Sequence, residues 1–310
     1  MNNKIIIAID AMGGENAPAK NIEGISIFLN KNKNKKDFFF NLFGDEELIK
    51  KELNKHKISN DFFKILHSST TVSDEETPLT AIKNSKDSSM WNAISSQTEL
   101  DSHISLSAGN TGVMFVISRM LLKTIESVSK PALAGLWPNE KNMNVVLDLG
   151  ANVECDDKNL VEFAEMGAAL YKALFPEDSV KVALLNIGSE EIKGTEILKK
   201  AYTKLKEISK HGDFQFDGFI EGNKITHGNS NVIVTDGFTG NIALKTAEGT
   251  VKFITDALKS SLTETLLSKF SILFSYFALK KFKSKFDPRK FNGAIFLGLK
   301  GPVVKSHGST

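Results

Sequence analysis

The chain of 310 residues is long enough to bury a sizeable core, either as one α/β unit or as two lobes. Its hydrophobic content of 41% and charged content of 25% are ordinary for a globular enzyme. The single cysteine, Cys155, excludes a disulfide framework, the scattered histidines exclude a zinc-type Cys/His cluster, and no apolar run reaches the length of a membrane span.

Strands and helices alternate along the whole chain. Strands are predicted at Ile5–Ile9, Phe38–Phe43, Phe62–His67, His103–Ser107, Val145–Leu147, Lys181–Leu185, Phe214–Glu221 and Val232–Thr235. Helices are predicted near Pro18–Leu29, from Gly44-Asp45 to about Lys55, and near Trp91–Glu99, Val113–Leu122, Asn159–Leu174 and Thr195–Ser209. The polar stretch 68–90 has no clear apolar pattern and is predicted to be a functional loop or a lid. This alternation predicts an α/β fold with a largely parallel sheet and helices on both faces.

A glycine turn follows the strand at Val232–Thr235. Residues 236–241, DGFTGN, are predicted to form a tight loop, with a helix starting at Ile242 and Lys245 within its first turn or so. Such a loop points backbone N–H groups and the positive end of a helix at one spot, which suits phosphate. An ordinary strand-to-helix turn explains this stretch equally well.

Five predicted strands end in a polar glycine turn, at Asp10, Ala108, Asp148, Asn186 and Asp236. Ligands of open parallel sheets bind outside the carboxyl ends of the strands, so we expect the five turns to surround one crevice. Neither a P-loop nor a proper G-x-G-x-x-G after the first strand is present, which disfavours the usual nucleotide-binding folds. The candidate binding residues in these turns are Asp10, Gly13, Gly14, Asn110, Thr111, Gly112, Asp148, Asn152, Asn186, Gly188, Asp236, Thr239, Gly240 and Asn241.

Basic residues are concentrated in one segment. Residues 252–290 hold nine Lys and Arg against three acidic residues, a net charge of +6, whereas the whole chain is +2. A projecting amphipathic helical segment is predicted here, lying on an anionic membrane surface. A helix pair buried in a dimer interface is the alternative, and the two can coexist. Nucleic acid is not expected as a partner, because the rest of the chain is acidic. The candidate membrane-surface residues are Phe270, Phe274, Phe277, Lys280, Lys281 and Lys283.

Taken together, these motifs resemble the bacterial phosphate acyltransferase family, the acyl-carrier-protein:phosphate acyltransferases of phospholipid synthesis. They run in family order from residue 5 to the end, with mild departures such as Glu15 in place of the family's usual Asp. The matching stretches are IAIDAMGGENAP (Ile7–Pro18), SSM (Ser88–Met90), SAGNTG (Ser107–Gly112), DLGANV (Asp148–Val153), NIGSEEIKGTE (Asn186–Glu196), VTDGFTGNIALK (Val234–Lys245) and FLGLKGPVVKSHGS (Phe296–Ser309).

The resemblance implies a fold similar to the isocitrate/isopropylmalate dehydrogenase type, a homodimer, and no metal or other cofactor. It implies that acyl-carrier protein and inorganic phosphate are the substrates and that acyl phosphate is the product. That product would pass to the membrane acyltransferase that acylates glycerol 3-phosphate. A cytoplasmic protein associated peripherally with the inner membrane is therefore expected.

We hypothesise that phosphate itself is the nucleophile, so that the enzyme mainly binds substrates and stabilises an oxyanion. The turns at 110–112 and 239–241 would supply hydrogen-bond donors and Lys245 the counter-charge. His307 would protonate the leaving thiolate, although a capping or core histidine is the rival interpretation. The aspartates would orient donors, because bare carboxylates repel phosphate.

Two further assignments complete this hypothesis. Lys193 and Lys305 are expected to pair with acidic residues of the carrier protein. Phe and Leu residues near 253–277 are candidates for an acyl groove, with core packing as the alternative.

Three other functions remain open at this point. The first is a phosphotransacetylase-like transfer from coenzyme A thioesters. The second is a dehydrogenase on the similar fold, which would need a metal site and NAD(P). The third is a membrane-surface scaffold without chemistry, against which the intact SAGNTG and GFTGN turns speak.

Overall fold

The computed structural model describes residues 4–32, 37–73, 76–77, 80, 83–100, 102–265, 275–277, 279–280, 282 and 293–307. In chain order the strands are β1 Ile5–Asp10, β2 Phe38–Gly44, β3 Phe63–His67, β4 Ile104–Ser107, β5 Ala132–Pro138, β6 Met143–Leu147, β7 Lys181–Leu185, β8 Gln215–Ile220, β9 Val232–Val234, β10 Gly293–Leu297 and β11 Val303–Ser306. The helices are α1 Ala19–Lys31, α2 Glu46–Lys55, α3 Ser89–Glu99, α4 Thr111–Leu122, α5 Asp157–Leu174, α6 Glu196–Ile208 and α7 Gly237–Thr263.

The chain divides into two compact units. Unit 1 is Met1–Gly135 together with Gly293–Thr310, and unit 2 is Leu136–Asn292. Both units build strands and helices in alternation, which confirms the predicted α/β class with a largely parallel sheet.

In unit 1 the strand order is β3-β2-β1-β4-β11-β10-β5, parallel from β3 to β11, with β10 antiparallel to both of its neighbours. Successive side chains of a strand point to opposite faces, so β1 serves two cores. Ile9 packs with Ile22 of α1 and Ile49 of α2, whereas Ala8 packs with Ala93 of α3. Asp10 shares the face of Ala8 and therefore points toward α3.

In unit 2 the strand order is β6-β9-β7-β8, and all of these strands run parallel. Their central residues, such as Val145, Val182 and Val232, are fully buried, as expected for strands covered on both faces. α5 contributes the buried side chain of Phe163 to this core. The turns after β6, β9 and β7 consequently leave the same edge of the sheet.

The predicted elements match these bounds within a few residues, but the strands β5, β10 and β11 were not predicted and the start of α7 was predicted wrongly. α7 begins at Gly237, so the predicted tight loop 236–241 is wrong. Asp236 is the residue that caps the helix, because its Oδ1 accepts a hydrogen bond from the Thr239 amide over 2.8 Å.

The segment predicted to project is only partly covered by the structure. α7 accounts for its first part, and the helical residue Phe277 is 83% exposed. The Lys280 ammonium lies 6.0 Å from the centre of the Tyr276 ring. Among the described residues, no helix is long and apolar enough to cross a membrane. The remaining membrane-surface candidates, Phe270, Phe274, Lys281 and Lys283, lie outside the described residues.

Candidate active site

Asp10 ends β1 in unit 1, and its side chain is buried. Ser107, at the end of the neighbouring β4, donates a hydrogen bond from Oγ to Asp10 Oδ2 over 2.7 Å. Burial raises the pKa of the Asp10 carboxyl, and hydrogen bonds from Ser89 and Ser107 partly offset that rise. Asp10 thus contacts serine hydroxyl groups, in agreement with the hypothesis that it orients other groups.

Gly13 and Gly109 lie close to this carboxyl group. The Gly109 amide donates to Ser107 Oγ over 3.0 Å, so the hydroxyl of Ser107 links Asp10 to the turn that follows β4. A Cβ atom at Gly13 would lie 2.5 Å from Asp10 Oδ2 and 2.8 Å from the Gly109 nitrogen. Only glycine fits such a contact. Gly14 follows with a φ of 90°, a conformation that glycine adopts without strain.

Asn110 caps α4 and joins it to the polar stretch 68–90. Its Oδ1 accepts from the Val113 amide over 3.1 Å, and its Nδ2 donates to the Glu76 carbonyl over 3.1 Å. Thr111 and Gly112 form the start of the helix. Within the described ranges their two amides have no acceptor, as is usual for the first turn of a helix.

Lys305 on β11 lies beside Ser107 in the parallel register of β4 and β11. Its half-buried ammonium donates to the Ala108 carbonyl over 3.3 Å and also to the Ser306 carbonyl. The expected pairing of Lys305 with acidic residues of a carrier protein stays a prediction. His307 directly follows β11 and is exposed.

Unit 2 has its own buried aspartate at the end of β6. The Oδ1 of Asp148 accepts from the amides of Gly150 and Ala151 at 3.2 and 3.0 Å. Its Oδ2 accepts from the Asn152 amide and side chain at 2.7 and 2.8 Å. Four donors therefore surround this carboxylate, which holds the turn 148–152 in shape.

The glycines of α7 serve the contact between this helix and the turn 148–152. The Gly237 amide donates to the Asn152 carbonyl over 2.8 Å. A Cβ atom at Gly240 would overlap the Asp148 carbonyl oxygen, and one at Gly150 would lie 3.5 Å from the side chain of Asn241. Close packing thus explains glycines that the sequence suggested were part of a phosphate loop.

Lys245 does not lie in the first turn of α7, so that predicted position is wrong. It is the ninth residue of the helix, and a rise of 1.5 Å per residue places it about 12 Å along the axis from Gly237. Its ammonium pairs with Glu248 over 2.8 Å at the surface.

Asn186 organises the turn that follows β7. Its Oδ1 accepts from the Ile187 amide over 2.8 Å, and its Nδ2 donates to the Lys193 carbonyl over 3.1 Å. Gly188 lies against Glu190 in the same turn, where a Cβ atom would approach Glu190 Oε2 to 2.7 Å.

The predicted residues thus form two groups, one in each unit. Unit 1 brings together the turns at Asp10 and Asn110 with Lys305 and His307, and unit 2 brings together the turns at Asp148 and Asp236. One crevice shared by all five turns remains a prediction. Sequence reasoning overlooked Ser89 and Ser107, although both lie in the quoted motifs SSM and SAGNTG. No cluster of three or more metal-ligating side chains occurs in the part of the chain that the structure describes.

Comparison with known proteins shows the family of this chain. The family model described as fatty acid synthesis protein matches residues 5–310. The phosphate acyltransferase of Pelagibacter ubique is 53% identical over 310 residues, which cover 100% of this chain and 91% of that protein. The chain belongs to the phosphate acyltransferase family. The phosphate acyltransferase of Caulobacter vibrioides is 42% identical over 99% of this chain and 84% of its own length.

Membership in this family confirms the resemblance inferred from the motifs and makes the chain an acyltransferase. Among solved structures, a phosphotransacetylase from Staphylococcus aureus, EutD, aligns with a TM-score of 0.62. The alignment covers 100% of this chain and 90% of that one at 14% identity, so the likeness concerns the fold alone.

Proposed function

We propose that this protein transfers a fatty acyl group from acyl-carrier protein to inorganic phosphate. A phosphate oxygen attacks the thioester carbonyl carbon, the C–O bond of an acyl phosphate forms, and the C–S bond breaks. The carrier leaves as a thiolate, which takes up a proton. The observation that carries the proposal is full-length identity of 53% to a protein named phosphate acyltransferase.

The start of α4 in unit 1 is the proposed phosphate site. The amides of Thr111 and Gly112 point out of the helix N-terminus, and the helix dipole favours an anion there. The Lys305 ammonium, bonded to the neighbouring Ala108 carbonyl, adds positive charge. We assign the counter-charge to Lys305 in preference to Lys245, which lies in the third turn of α7.

His307 keeps its proposed role as the acid that protonates the leaving thiolate. Its exposed side chain follows the carboxyl end of β11, which is parallel to β4 and therefore lies at the same sheet edge as the start of α4. In unit 2, Thr239, Gly240 and Asn241 keep their proposed role as hydrogen-bond donors to the substrate. Of these, Asn241 is exposed on the first turns of α7 and offers an amide group.

A homodimer is the proposed assembly, with α7 in its interface. Only Gly237 and Gly240 of this 27-residue helix are buried. Its apolar residues recur at spacings of three and four, the pattern of a helix that packs on another helix, at Leu244, Ala247, Val251, Ile254 and Leu258. An Ile254→Asp variant should therefore sediment as a monomer, and an unchanged dimer would refute this interface.

A cytoplasmic location with peripheral binding to the inner membrane is also proposed. Phe277 and Lys280 provide an exposed ring and a nearby charge, as interfacial helices do. Such a location would bring the acyl phosphate to the membrane acyltransferase of glycerol 3-phosphate. Flotation with anionic vesicles should carry the wild type and not Phe277→Asp, and equal flotation of the two would contradict this role.

The choice of acyl donor tests the proposed function. Wild-type protein is given phosphate and either palmitoyl-carrier protein or palmitoyl-coenzyme A, and acyl phosphate is trapped with hydroxylamine. We expect the hydroxamate to form efficiently from the carrier-bound donor. Preference for the coenzyme A donor would establish the transacetylase-like alternative instead.

A further inference from the structure

Four large apolar side chains are exposed to solvent at the carboxyl edge of the unit 2 sheet, in the turns after β6 and β7 and at the start of α7. Val153 follows β6 and is 68% exposed, and Phe238 follows β9 and is 58% exposed. Ile187 and Ile192 follow β7 and are 84% and 80% exposed. We call these four residues the apolar rim.

The apolar rim borders the candidate site residues of unit 2. Val153 comes directly after Asn152, and Ile187 comes directly after Asn186. The side chains of Asn152 and Asn186 bond within their own turns, while the next residue projects into solvent. At this edge the polar side chains therefore bond within the turns, and the apolar side chains that follow them in sequence face solvent.

The three turns of the apolar rim are neighbours. β6 and β7 both pair with β9 in parallel, and adjacent strands lie about 4.8 Å apart. The Gly237 amide also bonds to the Asn152 carbonyl, which holds the turn of Phe238 against the turn of Val153. The segments that carry the four side chains thus leave one stretch of the sheet edge.

Charge around the apolar rim indicates what it binds. Glu154, Glu190 and Glu191 lie in the same turns, where Lys193 and Lys206, which pairs with Glu191 over 3.0 Å, offset two of the three negative charges. No excess of positive charge therefore favours an anionic lipid surface here. Isoleucines exposed to this extent beside a binding site are typical of a surface that an apolar ligand covers. The fitting ligand is an uncharged hydrocarbon chain.

We propose that the apolar rim binds the fatty acyl chain of the acyl donor, next to the site residues of unit 2. This inference rests on the proposed function, because it requires a fatty acyl substrate. The first methylene groups of a chain bound next to the polar residues of unit 2 would lie against residues only one or two positions away in sequence. This placement differs from the acyl groove that the sequence suggested at 253–277.

The dependence of the rate on chain length tests this proposal. The variants are Ile187→Ser with Ile192→Ser, and Phe238→Ser, with Leu48→Ser on α2 as the control at an exposed apolar position. Phe253→Ser on α7 probes the rival acyl groove at 253–277. Acyl phosphate formation is measured with carrier proteins bearing C4, C8, C12 and C16 chains. We expect the rim variants to raise KM about tenfold for C16 and less than twofold for C4, with the Leu48→Ser control unchanged.

Several outcomes would overturn the assignment. An equal rise in KM for all chain lengths would mean that the rim contacts the carrier protein, and a C16-specific rise in Phe253→Ser alone would place the chain on α7. A fluorescent C16 fatty acid, titrated without phosphate or carrier, gives a readout that does not need turnover. Weaker binding by the rim variants supports the rim even if the wild type makes no acyl phosphate, in which case only the proposed function fails.

Discussion

Asp10 and Ser107 stand 97 residues apart in sequence, yet Ser107 Oγ donates to Asp10 Oδ2 over 2.7 Å. The same hydroxyl accepts the Gly109 amide, so a buried carboxyl at the end of β1 positions the turn that starts α4. That turn carries the proposed phosphate donors. The hydrogen-bonded pair therefore links the buried Asp10 side chain to the orientation of the turn that starts α4.

Ser107→Ala tests this link. The substitution removes the donor to Asp10 and leaves the Gly109 amide without its acceptor, so we expect acyl phosphate formation to fall ten- to a hundredfold, roughly. The loss of unfolding free energy should be about 1–3 kcal/mol. Ser118→Ala is the matched control, because that buried hydroxyl donates to the Met114 carbonyl of its own helix and, among the described residues, to no other group. Equal effects of the two variants on the rate would rule out a positioning role.

The stability of the protein should depend on pH in opposite directions through Asp10 and Asp157. Burial raises the pKa of Asp10, so the folded state holds this proton more tightly than the unfolded state, and stability falls as pH rises above the ordinary value of 3.8. The hydrogen bond from Lys204 lowers the pKa of Asp157, so its contribution is lost as pH falls below 3.8. Urea unfolding from pH 3 to 8 should show that Asp10→Asn removes the first slope and Asp157→Asn the second. The same pH profile in Asp10→Asn and wild type would contradict this account.

Replacing either of two glycines of α7 by alanine should change the stability of the protein in opposite directions. Gly240→Ala would drive a Cβ atom into the Asp148 carbonyl, and we expect it to lower the free energy of unfolding by about 3 kcal/mol. Gly249→Ala meets no atom within 4 Å and should raise stability by about 0.5–1 kcal/mol through helix propensity. Denaturant unfolding of both variants decides the matter. A tolerated Gly240→Ala would show that α7 does not pack on the turn 148–152 in this way.

Two lysines compete for the role of counter-charge to phosphate. Lys305→Met should raise the KM for phosphate about tenfold, because its ammonium lies beside the Asn110 turn. Lys245→Ala should change that KM less than twofold, since it breaks only a surface pair with Glu248. Steady-state rates at varied phosphate give both values. The reverse ranking would restore the assignment made from sequence.

Much of the fold follows from local patterns in the chain. Strands such as Lys181–Leu185 are short apolar runs bounded by polar turns, and the turns that follow them carry most candidate residues. β5 carries no such local signal, because Gly135 interrupts its apolar run and its partner β10 comes from the far end of the chain. No local pattern predicts a pairing of that kind.

The start of α7 shows where local reasoning about the site failed. Two glycines in DGFTGN suggested a loop, but they are required because the first turn of the helix packs against the turn 148–152. Asp is a residue type that often caps helices, and Asp236, which accepts a hydrogen bond from the Thr239 amide, was the feature of the sequence that could have indicated the helix start. The contact of Lys305 with Ala108 depends on the pairing of β11 with β4 and was likewise beyond reach of sequence patterns.

The central claim is that phosphate is the acyl acceptor. The most direct measurement follows carrier thiol and acyl phosphate together, from palmitoyl-carrier protein, as phosphate is raised from zero. The account predicts no thiol release without phosphate and equal amounts of thiol and acyl phosphate at every concentration. Thiol release without phosphate would instead make the protein a thioesterase and contradict the account.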